Sequence, residues 1–106
     1  MTENTLDVLL HITTAKSAAV AAPLGRALSA AGIRWACFLT NDGVMGADDA
    51  AFADALEGAQ RVAVCEHSWD IHMKDPHAKV RSCPFERASQ TVNSALMGEA
   101  GRVVAL

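Results

Sequence analysis

The sequence predicts a single α/β domain, about five mostly parallel strands in three layers with helices on both faces. Three observations lead there. Apolar runs of strand length alternate with Ala-rich stretches of helical period, the pattern of βαβ units with right-handed crossovers. The runs are nearly continuous in hydrophobicity, as strands covered on both faces are. A length of 106 residues with 51% hydrophobic content suits one core, so the whole of residues 1–106 reads as one domain that needs neither disulfides nor a metal to fold.

Leu6–Ile12 is the first strand, and residues 13–17 form a polar loop. Residues 18–31 are helix-prone, with Leu24, Ala27, Leu28 and Ala31 on one face and Gly32 as the stop. Pro23 either kinks this helix or marks where its regular part begins. Residues 33–39 read as the second strand, and Thr40-Asn41-Asp42-Gly43 as a turn. Asp48 and Asp49 precede a short helix over residues 50–56, where negative charge favours a helix start. Arg61–Cys65 is the third strand. Residues 89–97 are helical through Val92, Ala95 and Leu96, and residues 102–106 close the sheet.

Residues 66–87 interrupt the pattern. They hold three of the four histidines, one Trp and one Cys, and are the most polar part of the chain. Trp69, Ile71 and Met73 alternate with Asp70, His72 and Lys74, which suggests extended structure, and Arg81-Ser82-Cys83 suggests a short extra strand. A polar segment of this length in a small domain is expected to be a functional loop or lid.

Formal net charge is −3 with no Lys/Arg cluster, which argues against binding a nucleic acid backbone. The opening Met1–Asn4 is polar without a basic region, and no stretch reaches the roughly 20 apolar residues of a membrane span. The expected location is therefore the cytoplasm, without membrane attachment. There the three cysteines are expected as thiols, and an odd number cannot all pair within one chain.

Ligands of open α/β sheets sit beyond the carboxyl ends of the strands. Thr13-Thr14, Thr40–Gly43 and Cys65-Glu66-His67-Ser68 fall there, and they converge if their strands are neighbours. Cys65 is the leading candidate: a thiol at a strand end, with His67 two residues on to lower its pKa or take its proton. It equally fits a small core residue. Cys83 precedes Pro84, and a helix beginning there would place its thiol at a helix N-terminus. Cys37 reads as core. His11, inside the first strand, reads as a hydrogen-bonded core or subunit-contact residue, and Trp69 as a lid anchor, an interface residue or a plug over the core. His67, His72, His77 and Cys83, with Cys65, offer an alternative zinc-binding set, although no C-x-x-C or H-x-x-x-H spacing supports it. No dinucleotide or P-loop fingerprint is present.

Three stretches carry a family resemblance. Residues 36–44 (ACFLTNDGV), residues 62–65 (VAVC) and residues 94–106 with Gly101-Arg102-Val103-Val104 resemble, in that order, the second strand, the cysteine-bearing strand and the closing helix and strand of the DsrE/DsrF-like sulfur-relay proteins, which include DsrE, DsrF, DsrH and the Tus sulfur carriers. The resemblance implies a DsrE-like, flavodoxin-like topology of five parallel strands, and assembly as a homo-oligomer or with paralogous subunits. It also implies that Cys65 carries sulfur as a persulfide between donor and acceptor proteins, without a cofactor. His67 would tune the thiolate and Cys83 would serve as a resolving thiol. The sequence departs from the family pattern after the cysteine, where Glu66-His67-Ser68-Trp69 replaces a small apolar stretch. The alternatives are a metal- or small-ligand-binding module of the same fold and a non-catalytic interaction subunit.

Overall fold

The computed structural model describes residues 4–77 and 79–106. The first three residues of the polar opening, and residue 78 within the 66–87 segment, lie outside them. The described chain forms one five-stranded sheet, all parallel, from β1 (Leu6–Ile12), β2 (Trp35–Leu39), β3 (Arg61–Cys65), β4 (Glu86–Ala88) and β5 (Ala100–Ala105). Helices α1 (Ala18–Ala30), α2 (Ala50–Ala55), α3 (Glu66–His72) and α4 (Gln90–Glu99) connect them. A 3-10 turn over Asn41–Asp48 precedes α2.

The strand order β4-β3-β2-β1-β5 decides where each helix lies. Three successive crossovers step the same way across the sheet, so right-handed connections put α1, α2 and α3 on one face. The fourth returns past three strands to the far side of β1, which sends α4 to the other face. Side-chain alternation follows. Trp35, Cys37, Leu39 and Val64 pack with Ala21, Phe52 and Trp69 on the three-helix face. Ala36, Phe38, Ala63, Cys65 and Ala88 pack with Leu9 and Leu96 on the α4 face. All five residues of β2 are buried, as a central strand covered on both sides requires.

Helix α1 runs through Pro23, and it lies close to the sheet at Gly25. A Cβ there would stand 2.8 Å from Cη2 of the buried Trp35, so only glycine fits. Asp49 caps α2, its side chain accepting the Phe52 N–H at 3.1 Å.

Residues 66–87 are more ordered than their polarity suggested. The expected extended stretch through Trp69, Ile71 and Met73 is instead helix α3, with Trp69 and Met73 four residues apart, both buried, and Ile71 54% exposed. Trp69 is the plug over the core, its indole N–H donating to the Arg81 carbonyl at 2.6 Å. The expected strand at Arg81-Ser82-Cys83 lies further on, at β4, and no helix starts at Pro84. Glu86 and Arg87 of this edge strand are exposed and ion-paired, to Arg61 and Asp70 respectively, each at 2.6 Å.

Candidate functional site

Two neighbouring strands, β3 and β4, send their following helices to opposite faces of the sheet. The crevice between their carboxyl ends is the topological switch point, where open α/β sheets bind ligands. Cys65, the last residue of β3, is in register with Ala88 at the end of β4. Its side chain points to the α4 face, and its backbone caps α3.

Burial acts to raise the Cys65 thiol pKa, but four hydrogen bonds outweigh it and hold the group below the ordinary thiol value. They come from the Ser68 hydroxyl, the Ser68 backbone N–H, the Gln90 side chain and the His67 backbone N–H. Ser68 is buried, and its Oγ accepts the Asn41 N–H at 2.9 Å, which leaves its proton for the sulfur. Asn41 takes up a left-handed φ of 53° to present that N–H. The turn that carries it packs tightly onto β1: a Cβ at Gly43 would lie 2.5 Å from the Ile12 carbonyl oxygen.

A second layer of polar groups stands beside the sulfur on the α4 face. Gln90 Nε2 donates to Thr40 Oγ1 at 3.2 Å, and Thr40 Oγ1 is 3.0 Å from His11 Nε2. Asn93 Nδ2 donates to Gln90 Oε1 at 3.1 Å and lies 3.4 Å from His11 Nε2. Burial lowers the pKa of His11, favouring its neutral form. Asn93 is 4% exposed and its Oδ1 has no hydrogen-bond partner. His11 is thus the hydrogen-bonded strand residue the sequence suggested, and the loop ends of β1, β2 and β3 do converge.

The other expected site residues fall elsewhere or act differently. His67 reaches the sulfur through its backbone N–H, and its imidazole is on an exposed residue. Cys83 packs with Phe85 against the three-helix face, so the sheet separates it from Cys65, and burial raises its pKa. The structure does not bring the two thiols together as a resolving pair. Cys37 is fully buried, and burial pushes its thiol far up. His67, His72 and His77 are exposed along α3 and the following turn. Among the described residues no group of three or more His, Cys, Asp or Glu side chains is placed to hold a metal ion, so the zinc set is not gathered. A cavity of about 370 Å³ lined by Asp7, Val8, Leu28, Ile33, Gly101 and Arg102 opens at the amino end of the strands, away from Cys65.

Gln90 and Asn93 are the site residues the sequence reading missed. Their signal was an i, i+3 polar pair beside the apolar positions Val92 and Leu96 of one helix. Among the described residues no helix is long and apolar enough to cross a membrane. The sequence matches no family model and no curated protein.

Proposed function

We propose that this chain is a sulfur carrier that holds sulfur as a persulfide on Cys65 and passes it to a partner protein. The observation that carries the reading is the place of Cys65 at the carboxyl end of β3, in register with the end of β4 and with its side chain on the α4 face, where neighbouring polar groups lower its pKa. These groups stabilise a thiolate, and a carrier needs a thiolate twice. In loading, the Cys65 thiolate attacks the outer sulfur of a donor persulfide. The new S–S bond forms as the donor's S–S bond breaks, and the donor leaves as its own thiolate. In delivery, an acceptor thiolate attacks the outer sulfur now on Cys65, and Cys65 leaves as thiolate into the same donors. Sulfur and electrons balance without a metal or an added oxidant.

Cys65 is 6% exposed, so transfer requires a way in. Gln90 is exposed and borders the sulfur; displacement of its side chain opens the crevice. Because Cys83 packs across the sheet, the thiol that releases the sulfur belongs to the acceptor. In this reading the chain works in the reducing cytoplasm with sulfur donor and acceptor proteins. It assembles as a homo-oligomer or with paralogous subunits, for which Met97 and Val103, 37% and 44% exposed, offer apolar surface.

Incubation with a persulfide donor followed by intact-mass measurement tests the proposal. One added sulfur is expected on the wild-type chain, removed by reductant and absent in Cys65→Ser. A wild-type chain that takes up no sulfur from low-molecular or protein persulfides, or a Cys65→Ser chain that takes up the same amount, refutes it.

A further inference from the structure

We propose that the open edge of β5 is a self-pairing interface: two copies of this chain join their β5 strands antiparallel about a twofold axis at Val103, and the two sheets become one. This gives the homo-oligomer of the preceding reading its contact surface. It stands whether or not Cys65 carries sulfur.

The two edges of the sheet are built differently. Strand order puts β4 at one edge and β5 at the other. An edge presents unpaired N–H and C=O groups, and proteins that stay apart shorten it or load it with charge. Strand β4 has both devices: it is 3 residues long, and its Glu86 and Arg87 are held in ion pairs. Strand β5 has neither. It runs for 6 residues, Ala-Gly-Arg-Val-Val-Ala, with one charge and no proline. Among the described residues β1 is its one strand neighbour. Gly101, Arg102, Val103 and Ala105 are exposed, Val103 at 44%.

The ladder to β1 decides which backbone groups are free. The Leu106 N–H donates to the His11 carbonyl, and the Leu106 carbonyl accepts from the Thr13 N–H, each at 2.8 Å. Successive residues of a strand turn their backbone groups to opposite sides. Val104 and Arg102 therefore face β1 with Leu106, while Gly101, Val103 and Ala105 turn N–H and C=O outward.

Any extended strand could pair with such an edge. What selects a second copy is self-complementarity, which a twofold contact requires. With Val103 opposite its own twin, Gly101 falls opposite Ala105 on either side, and all three outward residues exchange hydrogen bonds. Small side chains meet small ones, and the two exposed valines cover each other on the α4 face, where Val103 lies beside Leu9. Charge excludes the neighbouring register. Sliding the pair to centre on Arg102 would set two guanidinium groups directly opposite each other and leave Ala105 unpaired. Sliding it the other way, to centre on Val104, leaves Gly101 beyond the end of the partner strand. In the register at Val103 each Arg102 lies across from Val104, on the other face of the sheet from the valine pair. The joined edge is also the one remote from β3 and β4, so both Cys65 crevices stay open at the two far ends of the common sheet.

Sedimentation of the intact chain under reducing conditions, from low to high micromolar concentration, should reach twice the mass of one chain. Val103→Lys places two like charges face to face at the axis and should remain a monomer. Val103→Pro should do the same, because the N–H it removes faces outward and not toward β1. Circular dichroism and thermal unfolding establish that each variant is folded. The register is read by crosslinking. The twofold pair stands about 5.5 Å apart at Cα, within disulfide reach, so Val103→Cys should crosslink readily in oxidised glutathione and Arg102→Cys far more slowly, with wild type as the control for the native thiols.

A wild-type chain that stays monomeric overturns the proposal. A folded Val103→Lys dimer overturns it too, since the contact then lies elsewhere. So does crosslinking at Arg102→Cys as fast as at Val103→Cys. If the lysine and proline variants do not fold, the crosslinking comparison decides. Sulfur uptake tests the carrier reading separately. A monomer that takes up sulfur keeps that role and loses this interface; a dimer through β5 that takes up none does the reverse.

Discussion

Replacing Ser68 with Ala removes one oxygen that serves two partners. Its Oγ accepts the Asn41 N–H at 2.9 Å and donates to Cys65. The two losses differ in weight. Asn41 is exposed, so water can satisfy its freed N–H, and the stability loss should stay below about 1 kcal/mol. Cys65 is 6% exposed, so little water can take the place of the hydroxyl at the sulfur. A hydrogen bond to a charged group contributes about 1.5–3 kcal/mol, and about 1.4 kcal/mol is a factor of ten in ionisation. Three other donors share the sulfur, which places the effect at the lower end, about a tenfold fall in thiolate fraction at neutral pH. Alkylation of the Cys65 peptide across a pH series measures it, with chemical denaturation as the stability control. A Ser68→Ala profile that superimposes on wild type would refute the account of how this thiol is ionised. So would a large stability loss with no change in the profile, which would make Ser68 a packing residue.

Gly25→Ala should destabilise the domain by about 1–3 kcal/mol through the clash with Trp35, despite a gain of about 1 kcal/mol in helix propensity; equilibrium denaturation measures the balance. Pro23 stands exposed in α1 beyond its first turn, so Pro23→Ala should raise stability by about 1–2 kcal/mol in the same assay, the restored helix geometry exceeding the entropy returned to the unfolded chain. Burial holds Cys37 protonated in the folded state, so its stabilising contribution is complete below the ordinary thiol value of 9.0 and is lost as pH rises above it. Cys83 shifts in the same sense and Cys65 in the opposite one; the measurement is thus the difference between wild type and Cys37→Ala, which should reach at most about 1.4 kcal/mol per pH unit. His11 has a lowered pKa, so its contribution is present above the ordinary histidine value of 6.5 and is lost as pH falls below it toward its folded value; His11→Gln should flatten that acid limb of the stability curve.

The central strands were legible because β1, β2 and β3 are continuous apolar runs, and burial on both faces leaves such a strand little choice of residues. Strand β4 was not, because it is an edge of three residues whose two charged side chains are satisfied by Arg61 and Asp70. Helix α3 was misread for a reason of period. Trp69, Ile71 and Met73 fit an alternation of two, but the buried pair is Trp69 and Met73, and an i, i+4 pair is helical. At the candidate site, the place of Cys65 at the end of a strand was legible from the apolar run before it. Its ligands were not, because two are backbone N–H groups that no residue type announces, and Gln90 arrives from a helix 25 positions further along the chain. The supposed partnership with Cys83 failed on a matter of sheet geometry, since nearness in sequence does not say on which side of the sheet a side chain falls.

The groups that lower the Cys65 pKa come from two separated stretches, His67 and Ser68 on α3 and Gln90 on α4, which among the described residues is the helix that covers its face of the sheet. This ties accessibility to protonation in opposite directions. When α4 loosens, the sulfur becomes reachable at the moment it loses Gln90 and reverts toward an ordinary thiol. When α4 is seated, the sulfur keeps its lowered pKa but is shielded.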